Sequence, residues 1–548
     1  MARPTDVGFK REMGLIGATW ASETSIIGSG WLFGALYASQ AAGPLALLGW
    51  VIGGVAIIIL ALVHAELGAM FPVAGGTARF PHFAFGSVSG ISFGFFSWLQ
   101  AVTVAPIEVY AVFQYLSYYW PAVYNAKTGV VTATGFAMTI LLLIILTALN
   151  FAAMRLFNRI NAGITWWKVA IPVATIIVLL FHFHGGNFSA GGGFFHSGWK
   201  ALFAAIPSAG IVFAYLGFEQ ADQLAAEVKD PQRNLPRAII LSIFIGTVIY
   251  MMLQVVFIAA MPHSQIAHGF ANISNSGILS YPFAGLTALI GLGALATILH
   301  IDAVISPGGT GLMYLTSTSR IGYGLGRNRY YPQPMTWVDK RGIPWISLIV
   351  GFLLGLVFLL PFPSWHDLVS LVTGASVLMY AGAPLAMGAF RNRLPEIERP
   401  YRMPGAAVLG PLAFVVATML IYWSGFMVIW KLGACIGIGY LLIGSFMAFD
   451  KERPKLEWRS SLWLPVYLIG LGIISWQGQY SGVSGKALPP TNTGNIPFWW
   501  DMLTVAVFSL VIYFWAVYSA LPSERINELV AAQSARTEEI EANPNLSL

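Results

Sequence analysis

Five ionisable side chains stand inside stretches of this sequence that are otherwise apolar: Glu23, Glu108, Lys168, Glu219 and Asp302. A charge held in hydrocarbon is costly, so each is a candidate for chemistry that needs a charge or a proton out of water. Desolvation disfavours an ammonium, which makes Lys168 a candidate to load and release a proton or to stand as a fixed cation; the alternative is a static lysine tying its helix to nearby carbonyls. Glu23, five residues before Gly28, is a candidate to pair with Lys168 or to carry a coupled proton, or else an exposed residue in a water vestibule. Glu108, in Ala105-Pro106-Ile107-Glu108, is a further proton candidate, and Asp302 is expected in an outer vestibule. Glu219 follows Gly217 in a Gly-Phe-Glu triplet, where it can sense pH, meet a cationic group or brace helices. Glu66 lies near the end of its stretch and is expected to organise the Arg79 loop. Four deep acids against one lysine, with no deep arginine to clamp a second carboxylate, favour a zwitterionic or cationic small molecule over an acidic one.

The elements that position these groups follow from composition. Of 548 residues, 29 are Lys or Arg and 23 Asp or Glu, so only 9% are charged while 57% are hydrophobic. A soluble domain carries roughly a quarter charged residues, so most soluble enzymes are excluded. Apolar runs near the ~20 residues that cross a bilayer as helix recur about fourteen times, which predicts an all-α polytopic membrane protein. The runs lie near 13–38, 44–70, 88–119, 131–153, 160–183, 199–226, 236–261, 292–325, 344–361, 366–390, 408–430, 433–449, 462–477 and 498–521. Most of the 29 basic residues fall in segments on one side; Lys127, Lys200, Lys431 and Lys486 fall on the other, and Lys168 is left within a span. The positive-inside rule then places both termini in the cytoplasm, so the basic balance reports topology and not nucleic-acid binding. One cysteine, Cys435, excludes an internal disulfide framework and a multi-cysteine metal site, and no metal or cofactor is expected.

Two spans carry their own interruptions. The first contains Ile26-Ile27-Gly28-Ser29-Gly30-Trp31, and the sixth contains Phe213-Ala214-Tyr215-Leu216-Gly217-Phe218-Glu219. Glycine weakens a helix, and unwound backbone at membrane depth must line a cavity or pack against protein. Two such spans five apart point to inverted five-helix repeats with a substrate between the breaks; small-residue helix packing is the plainer explanation of the glycines alone.

The wider pattern resembles the amino acid–polyamine–organocation permeases. The resemblance rests on Ile27-Gly28-Ser29-Gly30-Trp31-Leu32-Phe33; on His64-Ala65-Glu66-Leu67 through Phe71-Pro72 to Gly75-Gly76; on Glu227-Val228-Lys229-Asp230-Pro231 through Arg233 and Pro236; and on Ser319-Arg320 with Arg327-Asn328-Arg329 before Pro332. It covers about residues 10–450 and implies the LeuT-type fold. Residues 1–12 are then a cytoplasmic N-terminus, 13–183 and 199–391 the two inverted repeats, 408–521 four additional helices, and 522–548 a cytoplasmic tail.

The resemblance also implies a site. N–H groups around Ser29 and Gly30, at a positive helix end, suit a carboxylate, and carbonyls near Ile27, Phe213, Ala214 and Leu216 suit an ammonium. Gly28, Gly217 and Glu219 complete the breaks, Phe213 aligns with an aromatic gate, and Thr310 and Tyr314 fall where relatives line the pocket. Lys168, in a segment similar to that of sodium-independent members, takes the coupling role, with Glu23, Glu108 and Asp302 as further proton candidates. Ser306-Pro307 departs from the pattern and leaves the local helix geometry open. The implied protein is a plasma-membrane secondary transporter, not an enzyme, that moves an amino acid or amine by proton-coupled alternating access; an exchanger is the alternative, and a channel or sensor on the same scaffold is a third. Monomer and dimer remain open.

Overall fold

The structure is a computed structural model, and it describes residues 11–125, 128–151, 154–359, 364–449, 454–480 and 493–542. The described chain is mostly helical; its only strands are a two-residue antiparallel pair, Tyr124–Asn125 with Val130–Val131, in register Tyr124 to Val131. Eight stretches among the described residues are long and apolar enough to cross a membrane, including Ser87–Leu116, Pro231–Ala259 and Leu368–Arg393. Burial separates them. The most apolar windows of Ser87–Leu116 and Leu368–Arg393 are 94% buried, whereas those of Phe426–Phe449 and Phe498–Ser519 are 28% and 33% buried. The first two helices form the centre of the bundle, and the last two present apolar faces outward, as a lipid-facing helix must.

The helices that frame the site are α1 (Leu15–Ile26), α2 (Ser29–Ala42), α3 (Ala46–Met70), α4 (Ser87–Leu116), α5 (Ala133–Leu149), α6 (Met154–Leu180), α7 (Gly198–Ser208), α8 (Ile211–Tyr215), α9 (Gln220–Gln223), α10 (Pro231–Ala259), α11 (Gly293–Arg327), α12 (Trp345–Leu359) and α13 (Trp365–Arg393). The first span is interrupted at Ile27 and Gly28 only, as Gly28-Ser29-Gly30 predicts. The sixth is broken twice. Beyond the expected break at Gly217, Gly210 takes a left-handed conformation (φ +88°) between α7 and α8, which a side chain would resist. By contrast α11 runs its 35 residues without a break through Pro307.

The two interrupted spans touch through their glycines. A Cβ on Gly30 would lie 2.9 Å from Ala214 Cα, and one on Gly217 (φ +121°) would lie 2.7 Å from Ile26 N and Ser25 C. Backbone therefore meets backbone where a larger residue would hold the spans apart.

Candidate functional site

The first break exposes polar backbone, and side chains from four other helices answer it. Ile27 and Gly28 leave the helix, so the carbonyls of Thr24, Ile26 and Ile27 lose their helical partners and Ser29 N–H begins a new helix with none. Lys168 Nζ of α6, fully buried, donates to Thr24 O at 2.5 Å and to Thr310 Oγ1 at 2.8 Å. Thr310 of α11 donates in turn to Thr24 O at 2.7 Å, with Ile27 O at 3.4 Å. Tyr250 of α10 donates its hydroxyl to Ile26 O at 2.6 Å. On the N–H side, Ser29 donates to Glu108 Oε2 of α4 at 2.7 Å. The carboxylate thus caps the positive end of α2, where charge and hydrogen bond reinforce each other.

A small cavity of about 10 Å³, room for no more than about one water, lies between the breaks, lined by Ser25, Ile26, Gly28, Gly30, Val104, Glu108, Phe213, Leu216, Thr310 and Tyr314. Each lining side chain is buried, the most exposed being Phe213 at 6%, so the pocket is shut off from solvent. Above Phe213 stands Trp365, edge-on at 5.7 Å, and its indole donates to Ser29 Oγ at 2.7 Å. Phe33 and Tyr37 pack on the same indole at 4.8 and 5.6 Å. This aromatic cluster closes one mouth. Towards the other end, Met13 bridges Val228, and Arg320 pairs with Glu227 at 2.9 Å with both side chains buried.

Of the sequence candidates, Gly28, Gly30, Phe213, Leu216, Thr310, Tyr314 and Glu108 come together as lining. Ile27, Ser29, Ala214 and Gly217 contribute backbone at the breaks without lining the pocket. Glu219 is also absent from the lining. It holds the second break: Gly217 N donates to Oε2 at 2.9 Å and Tyr380 at 2.6 Å, while Gln220, Gln100 and Tyr314 reach Oε1 at 3.2, 3.5 and 3.4 Å. Lys168 lies beside the pocket, behind Thr310.

Three expectations change. Glu23 is fully buried, not in a vestibule, and its carboxylate makes no hydrogen bond to Lys168 or to any other group among the described residues. Lys168 is instead turned to the Thr24 carbonyl, freed by the break, and to the Thr310 hydroxyl. Asp302 is likewise fully buried, because Trp167 and Ser306 cover it and donate to Oδ1 at 2.9 and 2.7 Å. Glu66, expected to organise the Arg79 loop, receives Arg391 through both oxygens at 2.9 and 2.5 Å, and Arg399 stands at 3.5 Å.

Trp365, Tyr250 and Asp222 also belong to this region, although their sequence context does not single them out. Asp222, three residues after Glu219, is fully buried against Gly68, with both oxygens unpartnered among the described residues. Its spacing from Glu219 was the available signal. Trp365 and Tyr250 carried none, since an isolated aromatic in a membrane helix is ordinary.

Comparison with known proteins agrees with this architecture. Residues 13–433 match the family model described as amino acid permease. The aspartate-proton symporter of Bacillus subtilis (strain 168) is 34% identical over 527 residues, covering 95% of this chain and 98% of that protein. The glutamate/serine transporter AimA of the same organism is 34% identical over 535 residues, covering 94% and 95%. The aromatic amino acid transport protein AroP of Escherichia coli (strain K12) is 28% identical over 434 residues, covering 76% and 89%. An integral membrane protein with transporters as its full-length relatives is a transporter and not an enzyme, and the chain belongs to the amino acid permease family.

Proposed function

We propose that this chain moves an amino acid across the plasma membrane by alternating access, coupled to protons and independent of sodium. The observation that carries the reading is the pairing of a buried ammonium and a buried carboxylate on the two sides of one broken helix, beside a shut pocket. Broken backbone supplies what a zwitterion needs: an N–H-rich helix end for the carboxylate and unfolded carbonyls for the ammonium. Lys168 stands as the cation that stabilises the first break, tying α6 and α11 to it. Phe213, with Trp365, acts as the gate. The reading includes five-plus-five inverted repeats over 13–183 and 199–391 within about fourteen spans, the further helices at 408–521, and both termini in the cytoplasm.

A zwitterionic or cationic amino acid suits the pocket best, because Glu108 is in its wall and no lysine or arginine is among the lining residues. A small acidic amino acid is the second reading, favoured by relatives named for aspartate and for glutamate and serine. Reconstituted protein is expected to show saturable accumulation of a labelled amino acid driven by an inward proton gradient without sodium. Downhill current without accumulation indicates a channel, and uptake that requires internal amino acid indicates an exchanger. Competition by serine, aspartate and arginine ranks the substrate classes.

A further inference from the structure

We infer that Glu108 occupies the substrate-carboxylate position of the empty carrier and yields it only on taking a proton, so that one proton and one amino acid bind together. The inference rests on the transporter reading above and adds to it the group that links the two ligands.

The geometry is direct. Ser29 N–H is the first donor of α2 and has no partner within that 14-residue helix, whose positive end faces the pocket; Glu108 Oε2 accepts from it at 2.7 Å. The same carboxylate crowds Gly28, where a Cβ would lie 2.7 Å from Oε1 and 3.0 Å from Oε2. An amino acid that places its own carboxylate on that N–H meets a second carboxylate in a buried, low-dielectric space. Two such groups at hydrogen-bond distance cannot both stay ionised. A proton from the water on the entry side, bound to Glu108, removes the repulsion and frees the N–H. When the amino acid leaves on the other side, the proton leaves to water, and the carboxylate caps Ser29 again. The empty carrier therefore returns without its proton.

The surroundings leave Glu108 as the group in contact. Lys168 of α6 acts on it electrostatically, as do Tyr250 of α10 and Tyr314 of α11; Glu23 and Asp302 face Lys168 from farther off. Tyr380 of α13 is engaged on Glu219. The sequences of α5 and α12, which also pack on α4, contain no Asp, Glu, His, Lys, Arg, Tyr or Cys. His82, on the helix Gly76–Phe85, meets the other end of α4 at Gly90, about 27 Å along the axis from Glu108 at 1.5 Å per residue.

The test uses the full-length protein in detergent, with L-serine and L-aspartate as probes. Calorimetry in buffers of different ionisation enthalpy counts the protons taken up per amino acid bound. The expected result is close to one for wild type in the alkaline range, with affinity falling by up to about tenfold per pH unit, the limit for one linked proton. Glu108→Gln keeps the shape and an acceptor for Ser29 N–H without the charge. It is expected to bind with no proton uptake and a flat pH profile, and to exchange amino acid without concentrating it. Glu108→Asp keeps the charge with one methylene less reach and is expected to retain the pH dependence. Zero proton uptake by wild type overturns the inference, as does a wild-type pH slope in Glu108→Gln, which assigns the proton to Lys168 or another group. If Glu108→Gln fails to fold, the wild-type proton count and Glu108→Asp decide the matter. Binding of neither probe, together with no amino-acid uptake by wild type, overturns the transporter reading itself.

Discussion

The two broken spans solve the same problem with different partners. At the first break, the freed backbone is answered by Lys168, Thr310, Tyr250 and Glu108, from α6, α11, α10 and α4. At the second, the donor is Gly217 N–H and its acceptor is Glu219, two residues away, whose oxygens are already engaged by Tyr380, Tyr314, Gln100 and Gln220. One break is held by ionisable groups that other helices bring and can withdraw. The other is held by a local carboxylate saturated with donors. A proton arriving at the first changes how four helices grip the chain; at the second it loosens a brace. We propose that switching is concentrated at the first break and rigidity at the second.

The largest effect that sharpens this contrast is expected for Lys168→Ala. Proton-driven accumulation in proteoliposomes should be abolished, because Thr24 O and Thr310 lose their shared cation; unchanged accumulation makes Lys168 a static tie. Next come glycines on the two sides. Gly217→Ala should lower stability by about 2–3 kcal/mol, since it adds strain at φ +121° to a contact of 2.7 Å with the first span. Gly28→Ala, whose φ of −111° any residue can adopt, should fold better yet weaken amino-acid binding by at least about tenfold, one factor of ten being about 1.4 kcal/mol. Thermal unfolding and binding measured on both variants separate these outcomes, and equal stability losses break the comparison.

A smaller change is expected for Glu219→Gln. Losing a charged acceptor for several donors should cost about 1–3 kcal/mol in thermal unfolding and leave the pH profile of uptake in place. A profile that flattens moves proton chemistry to the second break as well. The mildest is Trp365→Phe, which keeps the ring packing on Phe213 and removes only the bond to Ser29 Oγ. About 1 kcal/mol is lost, seen as a few-fold faster release of bound amino acid; unchanged release shows that the ring stack alone holds the lid.

Much of this arrangement is legible in the sequence. Gly28-Ser29-Gly30 and Gly217 mark their breaks because glycine acts locally, and Lys168 and Glu108 stand out because a charge in an apolar run is conspicuous by itself. What could not be read is who answers whom. Ser29 and Glu108 are 79 residues apart, Tyr250 and Ile26 224, Thr310 and Thr24 286, and Trp365 and Ser29 336. No periodicity connects such pairs; they are set by how the helices pack. The same limit explains Glu23 and Asp302. Sequence shows a carboxylate near a helix end, but whether water or an indole covers it depends on neighbours far along the chain.

The contact of Gly30 with Ala214 and of Gly217 with Ser25 and Ile26 has a consequence for how the pocket can diversify. Beside the pocket, main chain is pressed on main chain, so a larger residue at Gly30 or Gly217 prises the two spans apart before it resizes the chamber. Of the wall side chains, Phe213 also meets Trp365 and Tyr314 also meets Glu219, whereas Val104 is an apolar wall residue with neither duty. Redesign for a bulkier or smaller cargo should therefore begin at Val104 and leave the glycines alone, since the same backbone frame can serve many cargoes while only its upholstery changes.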